Sequence, residues 1–83
     1  MIRLILYGTY GCHLCEDAEI LLSEAVRTRH LQIPVEIVDI AENRELEDRY
    51  GVRIPVVLDP VSGVELGWPF DAERLSEFLQ DLS

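Results

Sequence analysis

Apolar residues in this chain come as short dense runs separated by stripes of helical spacing. Ile2-Arg3-Leu4-Ile5-Leu6-Tyr7 is rich in branched side chains and stops at Gly8, which predicts a buried strand. Gly8 to Gly11 reads as a loop, and a helix is expected from about Cys12. Leu14, Ala18, Leu21, Leu22, Ala25 and Val26 then recur at spacings of three and four and form one apolar face. Glu16, Asp17 and Glu19 stand in the first turns of that helix, and Arg27, Arg29 and His30 in the last. Both placements suit the helix dipole.

Pro34 marks the next boundary. Val35 to Ile40 is β-branched and predicts a second strand, and Glu42 to Tyr50 a short helix with Leu46 and Tyr50 facing inward. Gly51 is expected to stop that helix as a left-handed cap, with Val52 as the apolar residue beyond it. Ile54 to Leu58 predicts a third strand, Asp59 to Gly63 a turn, and Val64 to Leu66 a short fourth strand in a hairpin with the third. Asp71 is placed to cap a last helix whose stripe is Leu75, Phe78, Leu79 and Leu82. The order is β-α-β-α-β-β-α. Its strand–helix–strand opening implies a right-handed crossover and a parallel pair, to which the hairpin adds an antiparallel strand. The expectation is an α/β fold, a four-stranded mixed sheet with three helices.

Length and composition fit one small domain over residues 1–83. The 48% hydrophobic content supports a core and argues against disorder. Sixteen acidic residues against seven basic ones give a formal charge of −9, and every basic residue is Arg. Such a surface repels phosphate backbones and anionic lipid, so neither nucleic acid nor a membrane is an expected partner. The first apolar run is too short for a secretory signal, and no stretch approaches the roughly 20 apolar residues of a membrane span. The expected compartment is the cytoplasm.

The chemistry rests on Cys12-His13-Leu14-Cys15, the only two cysteines in the chain, three apart where a strand hands over to a helix. A C-x-x-C beside a β-α-β pattern in a cytosolic protein reads as a redox pair. The spacing lets two sulfurs close a disulfide within one helical turn. The first sulfur meets the free N–H groups of the helix start, which favour thiolate, the nucleophile of exchange. Three other readings stand beside it. A structural disulfide around so small a loop contributes only about 2 kcal/mol by chain entropy, in a compartment that opposes it. A zinc site wants four ligands; His13 lies between the cysteines, and His30 stands about five helical turns from Cys12. The third is a pair of buried core cysteines. His13 either tunes the pair as a cation or stands exposed and idle.

From here the residues resemble a known group. A strand followed by Tyr10-Gly11-Cys12-His13-Leu14-Cys15 and a helix is similar to the start of glutaredoxins and thioredoxins. Tyr50-Gly51-Val52-Arg53-Ile54-Pro55-Val56 is similar to the segment that carries their cis-proline. Asp59-Pro60 with Glu65-Leu66-Gly67-Trp68-Pro69-Phe70-Asp71 resembles a narrower group, the small bacterial glutaredoxin-like domains. The resemblance covers nearly the whole chain. It implies a thioredoxin-type fold, with Pro55 in cis against the sulfurs and the backbone of Ile54 open to an incoming peptide.

The sequence also departs from those families. Leu6 stands where thioredoxins carry a buried acid, and Gly11 where they carry Trp. The Lys with which glutaredoxins hold a glutathione carboxylate is missing, and Gly67-Trp68-Pro69-Phe70-Asp71 replaces their acidic γ-glutamyl grip. Both absences count against glutathione. Arg53 is a candidate partner for the Cys12 thiolate or for a substrate carboxylate, and equally a solvated loop residue. Trp68 and Phe70 either wall an apolar groove or plug the core under the last helix.

The expected activity is therefore thiol–disulfide exchange, with Cys12 attacking and Cys15 resolving. Tyr10, Arg53, Ile54, Pro55 and Trp68 are the candidate substrate contacts. The expected substrate is a disulfide-bearing protein or small thiol, handled by a monomer without a bound metal or cofactor. Alternatives are an adaptor domain without turnover, a glutathione-dependent glutaredoxin, and an iron–sulfur cluster bridged by Cys12 of two chains.

Overall fold

Strand β1 (Leu4–Gly8) is buried along its whole length, and the rest of the fold is arranged around it. The molecule is described here by a computed structural model over residues 3–81. After β1 come α1 (His13–Thr28), β2 (Val35–Asp39), a 3-10 turn (Ile40–Glu42), α2 (Arg44–Tyr50), β3 (Val56–Leu58), β4 (Glu65–Gly67) and α3 (Ala72–Gln80). The sheet order is β2-β1-β3-β4. β1 runs parallel to β2, with Leu4 beside Val35 and Gly8 beside Asp39. It runs antiparallel to β3, with Tyr7 beside Val56, and β3 and β4 close as an antiparallel pair.

Alternation along β1 divides the core between the two faces of the sheet. Leu4 and Leu6 face α1 and α3, and pack with Ala18, Leu22, Leu75 and Phe78. Ile5 and Tyr7 face the other way, onto Ile40, Tyr50 and Val56. Tyr7 stacks on Tyr50 with ring centroids 4.4 Å apart. This is the four-stranded mixed sheet with three helices that the sequence implies. No helix among the described residues is long and apolar enough to cross a membrane.

Most differences from the sequence reading sit at element ends. The first strand runs to Gly8 rather than Tyr7, and Ile2 lies outside the described residues. Ile40 leaves the second strand because the Asp39 carboxylate accepts the Ala41 N–H at 2.8 Å and starts the 3-10 turn. The second helix starts at Arg44 rather than Glu42, because the Asn43 side chain caps it by accepting the Leu46 N–H at 3.1 Å. Ile54 and Pro55 precede the third strand, which begins at Val56. The fourth covers Glu65–Gly67 rather than Val64 to Leu66. Asp71 caps α3 through the Arg74 N–H at 2.8 Å, and Leu82 lies outside the described residues.

Two expectations are corrected by packing. Leu14 is half exposed; the buried side of α1 is set by Cys15, Ala18 and Leu22. Gly51 is not a left-handed cap, since its φ of −48° and ψ of −41° continue the right-handed helix. Its N–H donates to the Glu47 carbonyl at 2.8 Å, and a Cβ at this position would run into that same carbonyl oxygen. The glycine is needed for space, and Val52 beyond it is fully exposed.

Candidate active site

Gly11, with φ of +81°, turns the chain from β1 into α1. The Cys12 N–H then donates to the Thr9 carbonyl at 3.3 Å, and Cys12 becomes the N-cap of α1 with an extended backbone. Its Sγ occupies the place that a capping oxygen usually takes, accepting the Cys15 N–H at 3.2 Å. Both cysteines are free thiols, Cys12 partly exposed and Cys15 buried.

Cys15 sits one turn in, against β1. An added Cβ on Gly8 would lie 3.0 Å from Cys15 Sγ, so glycine there is what lets the sulfur approach the strand. Burial above all, and then the hydrogen bond with Cys12, push the Cys15 thiol up to about 11. At neutral pH it is therefore protonated. The two sulfurs differ in exposure, one partly open at the helix start and the other buried behind it.

A cleft of about 280 Å³ opens beside Cys15, between α1 and β2. Leu6 and Ile37 are among its apolar lining, and Glu16, Glu19 and Asp39 supply its charge. Asp39 was not singled out from sequence. Its carboxyl is held below the usual range by the Ala41 N–H first, with smaller contributions from the Thr9 side chain and the Tyr10 N–H. The second carboxylate oxygen accepts that Tyr10 N–H at 3.3 Å, which fixes the backbone beneath the Tyr10 ring. The ring itself is fully exposed at the cleft's rim. His13 is likewise exposed, 3.8 Å from Glu16.

The Ile54–Pro55 peptide is cis, and Pro55 is buried. Continuing the β1–β3 register by one step sets Pro55 opposite Gly8, at the same end of the sheet as the sulfurs. The Pro55 carbonyl accepts the Trp68 N–H at 3.0 Å, which ties this bend to β4. The Ile54 N–H is taken by the Tyr50 carbonyl at 3.0 Å. Trp68 is half-buried against the core beneath α3, edge-on to the buried Phe70 with centroids 5.0 Å apart, and lines no part of the cleft beside Cys15. A second cis peptide joins Trp68 to Pro69.

Arg53 is a half-exposed loop residue whose charge is paired within the fold. Its Nη2 donates to Glu65 Oε1 at 2.8 Å, and its guanidinium lies over the Tyr50 ring. The other Glu65 oxygen accepts the Tyr50 hydroxyl. That bond lowers the Glu65 carboxyl, with Arg53 adding to the effect. Burial first, and then Glu65, push the Tyr50 phenol up to about 12. Tyr50 and Glu65 carry no local signal of this link, because fifteen residues separate them and only the β3–β4 hairpin brings them together.

This geometry agrees with the comparisons. The chain belongs to the glutaredoxin-like domain family, DUF836, whose model matches residues 3–80. Among solved structures it is similar to the structural-genomics target protein XcR50 from X. campestris. With the X-ray structure of XcR50 the identity is 40% and the TM-score 0.81, covering 98% of this chain and 100% of that one. The solution structure of the same protein gives 41% and 0.80, covering 98% and 96%. Protein Ne2328 from Nitrosomonas europaea is similar at 29% identity and a TM-score of 0.70, over 93% of this chain and 89% of that one. No curated protein matches.

Proposed function

We propose that this chain is a thiol–disulfide oxidoreductase that reduces disulfides in proteins. The Cys12 thiolate attacks one sulfur of the substrate disulfide. A Cys12–substrate disulfide forms, and the displaced substrate sulfur leaves as a thiolate that takes up a proton. Cys15 then loses its proton and attacks Cys12 Sγ, which forms the Cys12–Cys15 disulfide and releases the second substrate thiol. The dithiol gives up two electrons and two protons, and the substrate disulfide gains them. An external dithiol or thiol reductant reverses the change on the enzyme.

The observation that carries this reading is the Cys12 sulfur at the α1 N-cap, accepting the Cys15 N–H, with a buried protonated thiol one turn behind it. Pro55 and Ile54 are assigned to the substrate backbone, and Tyr10 and the half-buried Trp68 to its flanks. The domain works as a cytoplasmic monomer with no resident cofactor. Trapping tests the reading. With Cys15→Ser, the first step still runs and the second does not, so partner proteins should accumulate in disulfide linkage to Cys12 and be released by dithiothreitol. The same extract treated with Cys12→Ser should yield none. Equal capture by both variants would refute the assignment.

A further inference from the structure

Arg53 stands two residues before Pro55, on the loop that feeds the bend beside the sulfurs. Half of its side chain is exposed, so the group is within reach of solvent. Its charge is nevertheless taken. Glu65 Oε1 receives Nη2 at 2.8 Å while the other oxygen receives the Tyr50 hydroxyl, and Tyr50 is itself fixed by stacking on Tyr7. The lowered Glu65 carboxyl keeps that partner ionised across the neutral range. The charged residues lining the cleft on the other side of the pair are Glu16, Glu19 and Asp39, all anionic. The cleft therefore offers an anionic substrate no cationic side chain among the described residues, and the Arg53 guanidinium is paired, while Arg49 lies on α2 with its guanidinium 6.0 Å from the Tyr50 ring.

We propose that Glu65 is a positioning residue for specificity: by holding Arg53, it denies the site a cation for anionic thiols such as glutathione. Glutathione carries two carboxylates and one ammonium. A freed Arg53 offers one of those carboxylates a charge-assisted contact from the loop that leads into Pro55. Glu65→Gln is the informative change, because the amide keeps one oxygen for the Tyr50 hydroxyl and puts an uncharged NH2 donor where Arg53 now finds an anionic acceptor. This inference rests on the reading that Cys12 exchanges with disulfides.

The experiment uses the Cys15→Ser protein, in which Cys12 alone exchanges. Cys12 attacks glutathione disulfide, one S–S bond breaks and one forms, and a glutathione thiolate leaves and is protonated. Intact mass at defined ratios of glutathione to its disulfide gives the equilibrium constant. The same measurement with hydroxyethyl disulfide, which has no charge, is the control. Adding Glu65→Gln should raise the glutathione constant about three- to tenfold, the scale of a partly exposed charge pair. The hydroxyethyl constant should stay within about twofold, since that probe offers Arg53 no charge to pair with. Adding Arg53→Ala to Glu65→Gln should cancel the gain, and Arg53→Ala alone should change little. An unchanged glutathione constant in a folded Glu65→Gln protein overturns the proposal, as does a gain that survives removal of Arg53. Should Glu65→Gln not fold, a fall in the glutathione constant with Arg53→Ala alone overturns it, since Arg53 would then already serve the substrate. Absence of exchange with hydroxyethyl disulfide would instead remove the underlying reading, and this proposal with it.

Discussion

Cys12 and Cys15 are the same residue type in two environments, and the difference between them is the chemistry of the site. Cys12 caps a helix at the surface, and Cys15 is buried against Gly8 with its thiol pushed up to about 11. Alkylation should separate them. At pH 7.5 we expect the lone Cys12 of a Cys15→Ser protein to react with iodoacetamide at least about tenfold faster than the lone Cys15 of Cys12→Ser. The Cys15 rate should keep rising well above pH 9. Burial, its largest cause, survives the loss of Cys12, so equal rates at both sites would contradict the account. The same shift bears on stability. Folded Cys15 and Tyr50 both hold their protons more tightly than in an unfolded chain, with values near 11 and 12 against 9.0 and 10.0. The folded state therefore binds more protons above about pH 9 than the unfolded state does, and stability must fall as pH rises through that window. Urea midpoints at pH 8 and pH 10.5 should drop more for the wild type than for Cys15→Ala, each compared with its own pH 8 value.

At the scale of elements, the ends carry the information that periodicity does not. α1 stops in a Schellman arrangement: the His30 N–H bonds the Arg27 carbonyl, and the Leu31 N–H bonds the Val26 carbonyl, both at 3.0 Å. His30 occupies the left-handed position with φ of +56°, where a side chain is strained and glycine is not. His30→Gly should stabilise the fold by about 0.5–1 kcal/mol, read as a rise of a few degrees in Tm. A fall in Tm would mean that the imidazole makes an interaction worth more than the strain. Gly51 should behave in the opposite way to a flexible cap. Because a Cβ there meets the Glu47 carbonyl, Gly51→Ala should destabilise by about 1–3 kcal/mol despite the helical φ and ψ, checked by the urea midpoint. Helix-end glycines usually serve a left-handed φ, whereas this one answers to crowding from a carbonyl four residues back, which leaves no trace in the pattern.

For the whole molecule, the order of strands and helices was readable because β1 and α1 carry strong, different periods, and the strand-to-helix passage at Cys12 marks the cysteine pair. Side chains that meet across the fold were not readable. The Arg53 pairing is hidden because its partner Glu65 arrives twelve residues later on β4, and Tyr50 reads as a simple core residue. Asp39 was hidden as the last residue of an edge strand. Leu14 appeared to belong to the apolar face, because a stripe drawn from spacing alone does not say which edge of it the sheet covers. The fold thus follows largely from local pattern, while the electrostatics of the site follow from which strands the hairpin and the crossover bring side by side. The central claim is that one dithiol, Cys12–Cys15, exchanges two electrons with a substrate disulfide. The most direct measurement is a single turnover: fully reduced protein is mixed with an equimolar protein disulfide, quenched in acid, and both partners are weighed by intact mass spectrometry. The account predicts that each substrate disulfide lost yields two substrate thiols and one enzyme molecule lighter by two hydrogens, with the new bond mapped to Cys12 and Cys15. A substrate disulfide left intact beside a fully reduced, folded enzyme would contradict it.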